Sequence, residues 1–256
     1  MEKKIINEDP LVYTIDNFID PSSSAHIIET CKSKMQPALV SDNKKGFVSK
    51  GRTNTNCWIK HNYDNIFLLI ANKISKLVNI PLVNAEAFQV IHYDVSQEYK
   101  QHYDGWDFDN SEKSRRNMKL GGQRICTALC YLNNVTEGGG TKFTKINKEV
   151  NAEKGKLLVF YNVYEGTNKK HDLSEHAGMP VINGEKWAFN LWFREESREK
   201  IYNYPILLEE KKEIDNEKNT NDNDNDNDNN DNDNNDNDNL YKDNDVKIIH
   251  YKNIFS

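Results

Sequence analysis

The tripeptide His102-Tyr103-Asp104 sets an imidazole and a carboxylate two residues apart, and His176 adds a second imidazole far downstream. Two histidines and one carboxylate form the face that holds non-haem Fe(II) on three sites and leaves three open for co-substrate and oxygen. Beyond His176, Lys186 opens an alternating apolar segment. Two neutral imidazoles and a carboxylate leave Fe(II) with a residual charge of about +1. A 2-oxodicarboxylate chelates such an ion through its keto oxygen and near carboxylate, and its far carboxylate then needs a partner. Buried and unpaired, that charge would be costly, so Lys186 is its natural counter-ion. The chemistry expected is an oxidation driven by a 2-oxoacid.

Each ligand has a competitor. His92-Tyr93-Asp94 repeats the spacing, but His92 follows Ala87-Phe88-Gln89-Val90-Ile91 and stands mid-strand among apolar neighbours. Alternation also puts Tyr93 on the face opposite His92 and Asp94. His102 follows polar Gln97-Glu98 and Lys100-Gln101, with Gly105-Trp106 after Asp104, a strand-to-loop edge where ligands can face a cavity. His171 competes with His176. It sits in Lys169-Lys170-His171-Asp172, which reads as a solvated loop, whereas His176 precedes Ala177-Gly178-Met179-Pro180-Val181, a turn leading into a strand. A lone H-x-D or a lone histidine is more often structural than ligating. His102, Asp104 and His176 are therefore favoured as a set.

The elements that must position them follow from periodicity. From Lys186, strict alternation puts Lys186, Ala188, Asn190 and Trp192 on one face and Trp187, Phe189, Leu191 and Phe193 on the other. The second face is a core face; the first is polar at both ends and suits a lined pocket. Leu11–Ile15 reads as a strand, and Asp20-Pro21-Ser22 starts a helix running to about Met35. Residues 41–56 are polar and contain glycine, which predicts a mobile loop. A second helix spans Tyr63 to about Val78, with Ile66, Leu69, Ile70, Ile74 and Leu77 at helical spacing, and stops before Pro81.

After Pro81 the chain turns to strands: Glu86 to Val95, Arg124 to Leu132, Lys156 to Tyr161 and Lys186 to Phe193. Gly138-Gly139-Gly140, Gly155 and Asn183-Gly184 punctuate them as turns. Helices followed by a run of strands predict an α+β chain, and a double-sheet jelly roll buttressed by the N-terminal helices fits it.

Composition narrows the function classes. Residues 221–239 are only Asn and Asp, and their eight aspartates account for the formal net charge of −6, leaving the rest of the chain at +2. A near-neutral body carries no strong footprint for nucleic acid. No apolar stretch is long enough for a membrane span. Cys31, Cys57, Cys126 and Cys130 show no C-x-x-C spacing and read as reduced structural thiols. Met1 to Asp9 lacks the apolar core of a secretory signal, so a cytoplasmic location is expected ahead of the endoplasmic-reticulum lumen. The expected organisation is a catalytic domain over 1–208 and a disordered, Asn/Asp-rich tail over 209–256. Within that tail, Val246 to Tyr251 could form a short strand or a docking peptide.

Longer runs surround these residues. They are Arg52-Thr53-x4-Trp58, Tyr93-Asp94-Val95-Ser96-Gln97-Glu98-Tyr99-x2-His102-x-Asp104 and Gly122-Gln123-Arg124-x2-Thr127-x-Leu129-x-Tyr131-Leu132-Asn133. Further on come Val135-x2-Gly138-Gly139-x-Thr141-x-Phe143, Gly155-x2-Leu158-x-Phe160-x-Asn162 and His176-x3-Pro180-Val181-x2-Gly184-x-Lys186-Trp187. In this order the chain resembles the catalytic domain of prolyl 4-hydroxylases, within the 2-oxoglutarate- and Fe(II)-dependent dioxygenases, over about residues 10–200. Two departures stand out: Ser96 replaces a family glycine, and Gly140 replaces the acidic residue usual before Thr141.

The resemblance implies a distorted double-stranded β-helix flanked by helices. It implies that His102, Asp104 and His176 bind Fe(II), that Lys186 binds the far carboxylate of 2-oxoglutarate, that Tyr93 adds a hydrogen bond to it, and that Thr141 lies nearby. Tyr99, Arg124 and Trp192 match positions that contact the peptide around its reacting proline; packing, or for Arg124 a surface ion pair, is the plainer alternative. The implied reaction is hydroxylation of peptidyl proline with O2 as second co-substrate, release of succinate and CO2, and L-ascorbate to rescue uncoupled turnover. The implied partner is a proline-containing peptide or protein. Two other readings stay open: a dioxygenase of the same fold acting on lysine or another non-prolyl substrate, and a binding module without turnover. Oligomeric state is not legible.

Overall fold

The computed structural model describes residues 1–41 and 46–198. The expected tail over 209–256, with its Val246 to Tyr251 segment, lies outside the described residues, as does the end of the 1–208 domain.

Two helices begin as their sequences dictate. The Asp20 side chain accepts from the Ser23 backbone N–H at 2.9 Å ahead of the Pro21–Lys32 helix. Asp64 accepts from the N–H groups of Ile66 and Phe67 ahead of the Asn65–Val78 helix, which ends at Asn79 in a left-handed conformation with φ 53°. The first helix stops at Lys32, short of the expected Met35.

An eight-stranded sheet supplies the backbone of the fold. Its order is Lys4–Glu8, Leu11–Ile15, Leu157–Tyr161, Arg124–Tyr131, Lys186–Arg194, Phe88–Tyr93, Thr55–Ile59 and Gln36–Pro37. Its pairings are antiparallel. A four-stranded sheet runs Lys148–Val150, Thr141–Phe143, His176–Gly178 and Tyr99–His102. The chain is thus mostly sheet with few helices, and no helix among the described residues is long and apolar enough to cross a membrane.

Three layers result. Ile27, Phe67, Ile70 and Ile74 of the two helices join Val90, Ala128, Val159, Trp187, Phe189, Leu191 and Phe193 in one buried cluster. On the opposite face, Ile91, Leu129, Leu158, Phe160 and Ala188 pack with Phe143 and Val150 of the smaller sheet. Every residue of Lys186–Arg194 is buried because that strand is covered on both faces. The expected split holds, with Trp187, Phe189, Leu191 and Phe193 toward the helices.

Some segments differ from expectation. Within 41–56, where a loop was expected, Gly46–Val48 pairs with Leu39–Ser41 and Thr55–Ile59 joins the large sheet. Phe47 and Val48 are 48% and 66% exposed, so this hairpin carries no buried alternation to mark it. The Lys4–Glu8 strand and the Glu112–Met118 helix also lack a strong apolar period, the first because it is an exposed sheet edge.

Candidate active site

His102 ends one strand of the smaller sheet and His176 begins its neighbour, and the antiparallel register sets them directly opposite. Their ring centroids are 4.4 Å apart. Asp104, just past the strand end, brings Oδ1 to 3.8 Å from His102 Nε2 and Oδ2 to 3.6 Å from His176 Nε2. One ligand atom from each residue lies within 4.8 Å of the others, close enough to share one metal ion.

Hydrogen bonds orient all three groups. His102 Nδ1 donates to Lys100 O at 2.8 Å and His176 Nδ1 to Ser174 O at 3.0 Å. A carbonyl only accepts, so each Nδ1 carries a proton, and Nε2 is the nitrogen whose lone pair a metal would take. Asp104 Oδ2 accepts from Thr127 Oγ1 and from Trp192 Nε1, both at 2.8 Å. Asn162 Nδ2 donates to Thr127 Oγ1 at 2.9 Å, which points the Thr127 proton at Asp104.

The electrostatics favour ligand-competent forms. Burial, then the neighbouring His176, pushes the His102 imidazole down to about 3, so it is neutral at physiological pH. Burial opposes ionisation of Asp104, but His176, His102 and Arg124 outweigh it and hold the carboxyl at about 2.

A cavity of about 480 Å³ is lined by all nine expected site residues. Lys186 pairs in register with Tyr93 and is 1% exposed. Its Nζ lies 5.0 Å from the Tyr93 ring and 5.4 Å from the Tyr131 ring, with no ion pair among the described residues. Burial alone pushes this amine down to about 7. Thr141 is buried and hydrogen-bonded through Oγ1 to Tyr131 Oη at 2.7 Å. Tyr99 stacks on His102, centroids 3.6 Å apart. The Arg124 guanidinium lies 3.9 Å from the Trp192 ring and 4.9 Å from the Trp106 ring. It is held by the Glu86 carboxylate at 2.6 and 2.9 Å, so the ion pair is a buried one in the cavity wall.

The competing histidines are engaged elsewhere. His92 Nε2 bonds Glu185 at 2.8 Å, and its ring lies on Trp187. His171 is not solvated, as its polar neighbours suggested, but 1% exposed. Its Nε2 bonds Asp9 at 2.9 Å and its Nδ1 accepts the Leu173 N–H at 3.1 Å, so neither nitrogen is available to a metal.

Several residues in the site carried no role in the sequence reading. Thr127 and Asn162 fix Asp104, and their signal was a hydroxyl and an amide set in otherwise apolar strands. Glu86 neutralises Arg124 and Arg194 from a position with no local pattern. Of the two family departures, the first runs against its backbone conformation and the second follows from it. Ser96 has φ 68°, a left-handed conformation that costs a residue with a Cβ. A Cβ on Gly140 would lie 2.9 Å from the Val150 carbonyl, so this backbone leaves no room for a side chain.

Comparison with known proteins agrees with this geometry. The 2OG-Fe(II) oxygenase superfamily profile matches residues 88–194. A protein of Acanthamoeba polyphaga mimivirus, provisionally named a prolyl 4-hydroxylase, is 37% identical over 183 residues, covering 72% of this chain and 74% of that one. Prolyl 4-hydroxylase 5 of Arabidopsis thaliana is 32% identical over 211 residues, covering 74% and 70%. Among solved structures, the viral collagen prolyl hydroxylase of Paramecium bursaria chlorella virus-1, in its 2OG complex, superposes with a TM-score of 0.57 at 26% identity. That match covers 71% of this chain and 94% of the viral one. The paired histidines, the carboxylate between them and these matches lead to one conclusion: the chain belongs to the 2OG-Fe(II) oxygenase superfamily, as a prolyl 4-hydroxylase-like oxidoreductase.

Proposed function

We propose that this protein hydroxylates peptidyl proline to 4-hydroxyproline, consuming 2-oxoglutarate and O2 and releasing succinate and CO2. One observation carries the co-substrate: Lys186 is a buried amine with no carboxylate partner among the described residues, in the cavity that also holds His102, Asp104 and His176. An unpaired buried ammonium is costly, and a dicarboxylate bound at the metal would bring the missing charge. The donor set, two imidazoles and one carboxylate, fits a divalent iron. When bound, Fe(II) and 2-oxoglutarate supply the oxidising power by activating O2.

The protein's own groups bind, orient and exclude water. His102, Asp104 and His176 would hold the metal. Lys186 would fix the far carboxylate, Tyr93 would donate to the co-substrate, and Thr141 would line its pocket. Tyr99, Arg124 and Trp192 line the same cavity and would contact the peptide around its reacting proline. The similarity to relatives named for proline hydroxylation supports the same choice. In this reading the two sheets are the walls of a distorted double-stranded β-helix, ascorbate restores the ferrous state after uncoupled turnover, and four buried free thiols suit a reducing, cytoplasmic compartment.

The test is to incubate the protein with Fe(II), 2-oxoglutarate, ascorbate and proline-containing peptides, then to measure succinate and peptide mass. A peptide heavier by one oxygen, with hydroxyl on proline, is expected. Succinate release with lysine or another residue modified would overturn the proline assignment, and no succinate release with any substrate would leave a binding module.

A further inference from the structure

Residues 112–119, Glu-Lys-Ser-Arg-Arg-Asn-Met-Lys, hold four basic side chains and one acidic one. Their charge of +3 exceeds the +2 carried by the whole chain outside the Asn/Asp tract, so positive charge collects in this short segment. It folds as the Glu112–Met118 helix, capped by the Ser111 hydroxyl, which accepts from the Ser114 N–H at 3.1 Å. Ser114 is buried, and the Asn117 carbonyl accepts from Arg194 Nη1 at 2.9 Å, which fixes the inward side. Arg115 and Lys119 are exposed, stand four residues apart and share one face, and neither has an ion pair among the described residues. Two nearby acids are already engaged: Asp107 pairs with Lys170 at 2.7 Å, and Asp109 accepts from the Ser111 N–H at 3.0 Å. Like charges four apart on a helix repel, and an anion laid over both would relieve them.

The chain itself returns to this helix. The Glu196 N–H donates to Gly121 O at 2.9 Å, and a Cβ on Gly121 would lie 2.9 Å from Arg198 Cγ. Arg198, the last described residue, therefore sits just past the helix's C-terminal end. Residues 199–220 then lead to the Asn/Asp tract, a span of at most about 75 Å when fully extended. The helix is only about 10 Å long, so the tract is tethered well within its reach. Spacing also agrees. Asp222, Asp224, Asp226 and Asp228 alternate with asparagines, and drawn out straight they would face one side about 6.6 Å apart. Arg115 and Lys119 are separated by a rise of about 6 Å.

We propose that the outward face of the Glu112–Met118 helix, Arg115 with the adjoining Lys119, is a docking surface for the chain's own Asn/Asp tract, residues 221–239. The tract offers aspartates and no apolar anchor, so the contact is charge on charge and salt-labile. Lys113 and Asn117 of the same helix line the cavity, so a docked tract lies at the cavity rim and shields that face from other polyanions.

The experiment uses the full chain and a fluorescent peptide with the sequence of residues 221–239, its binding followed by anisotropy at low salt. Three proteins are compared: wild type, a variant with the eight tract aspartates replaced by asparagine, and that variant carrying Arg115→Gln and Lys119→Gln as well. Wild type, its face already occupied by a tethered competitor, should bind the peptide about tenfold more weakly than the asparagine variant. Adding Arg115→Gln and Lys119→Gln should weaken the peptide again by about tenfold, the scale of two exposed ion pairs, and high salt should abolish the difference. Equal affinities for wild type and the asparagine variant would overturn the proposal, as would binding untouched by Arg115→Gln with Lys119→Gln. Carbodiimide cross-linking of the wild-type protein decides independently, even where the glutamine variant fails to fold. Lys119 should be joined to tract aspartates of the same chain in a mixture of isotopically light and heavy protein. Cross-links confined to other lysines, or formed only between chains, would overturn the docking.

Discussion

The indole Nε1 of Trp192 donates to Oδ2 of Asp104 at 2.8 Å, beside the Thr127 hydroxyl on the same oxygen. A tryptophan that the family resemblance assigns to the peptide therefore also orients Asp104, the carboxylate proposed to hold the metal. With Oδ2 held twice, Oδ1 would be the oxygen presented to a metal. Trp192→Phe keeps the ring and removes the donor, so it should weaken metal binding about tenfold or more, the usual cost of losing an outer-shell partner. Thr127→Val should do the same. Titration of the metal-free variants with Co(II), followed by its visible absorption, checks both; unchanged affinity would remove the orienting role.

Lys186 gives a pH prediction whose sign can be worked out. Free Lys186 sits at about 7, lowered by burial, and a bound far carboxylate would raise it. Below that value the amine is already charged and 2-oxoglutarate binds without proton uptake. Above it, binding must draw in a proton, so affinity should fall as pH rises from about 7. Calorimetry in buffers of different ionisation enthalpy should show uptake approaching one proton at the alkaline end. Lys186→Met should lose about a hundredfold or more in 2-oxoglutarate affinity. Stability moves the other way: the folded-state value lies below the ordinary 10.5, so the penalty is full below about 7 and fades toward 10.5. The metal-free methionine variant should then melt higher than wild type near neutral pH.

How much of this was legible in the sequence depends on where each residue gets its signal. Lys186 and Trp192 declared their face because an alternating strand with four apolar residues on one side leaves little choice about the other. His102 and His176 were separable from His92 by strand context. His171 was misread because the Tyr164 ring stacks on it and its Nε2 partner, Asp9, lies more than a hundred residues away, and the polar residues beside it report neither. Glu86 was silent because it gathers arginines from distant strands.

Ser96 offers a stability test. It occupies φ 68° in the turn between the Phe88–Tyr93 and Tyr99–His102 strands, where its N–H donates to Val181 O at 2.7 Å. A left-handed residue with a Cβ costs about 1 kcal/mol, and glycine avoids most of that. Ser96→Gly should therefore raise the melting temperature by a few degrees without changing metal affinity, as differential scanning fluorimetry and the Co(II) titration would show.

Glu86 should matter more than any single site residue for folding. It is 5% exposed, and it pairs with Arg124 and Arg194, both at 2.6 Å, with Arg198 at 3.8 Å. Burial opposes its ionisation, yet the arginines hold its carboxyl at about 2, below the ordinary 4.5. A depressed carboxylate contributes stability that is present above about 4.5 and lost as pH falls toward 2. Glu86→Gln leaves buried guanidinium groups without their anion, a defect of roughly 3–5 kcal/mol. Urea unfolding at neutral pH should show that loss. The gap should shrink as pH falls from about 4.5, and variant and wild type should converge only at about pH 2, where the wild-type carboxylate is neutralised too. Convergence is the decisive part: a gap of constant size at every pH would mean that Glu86 acts through packing and not through charge.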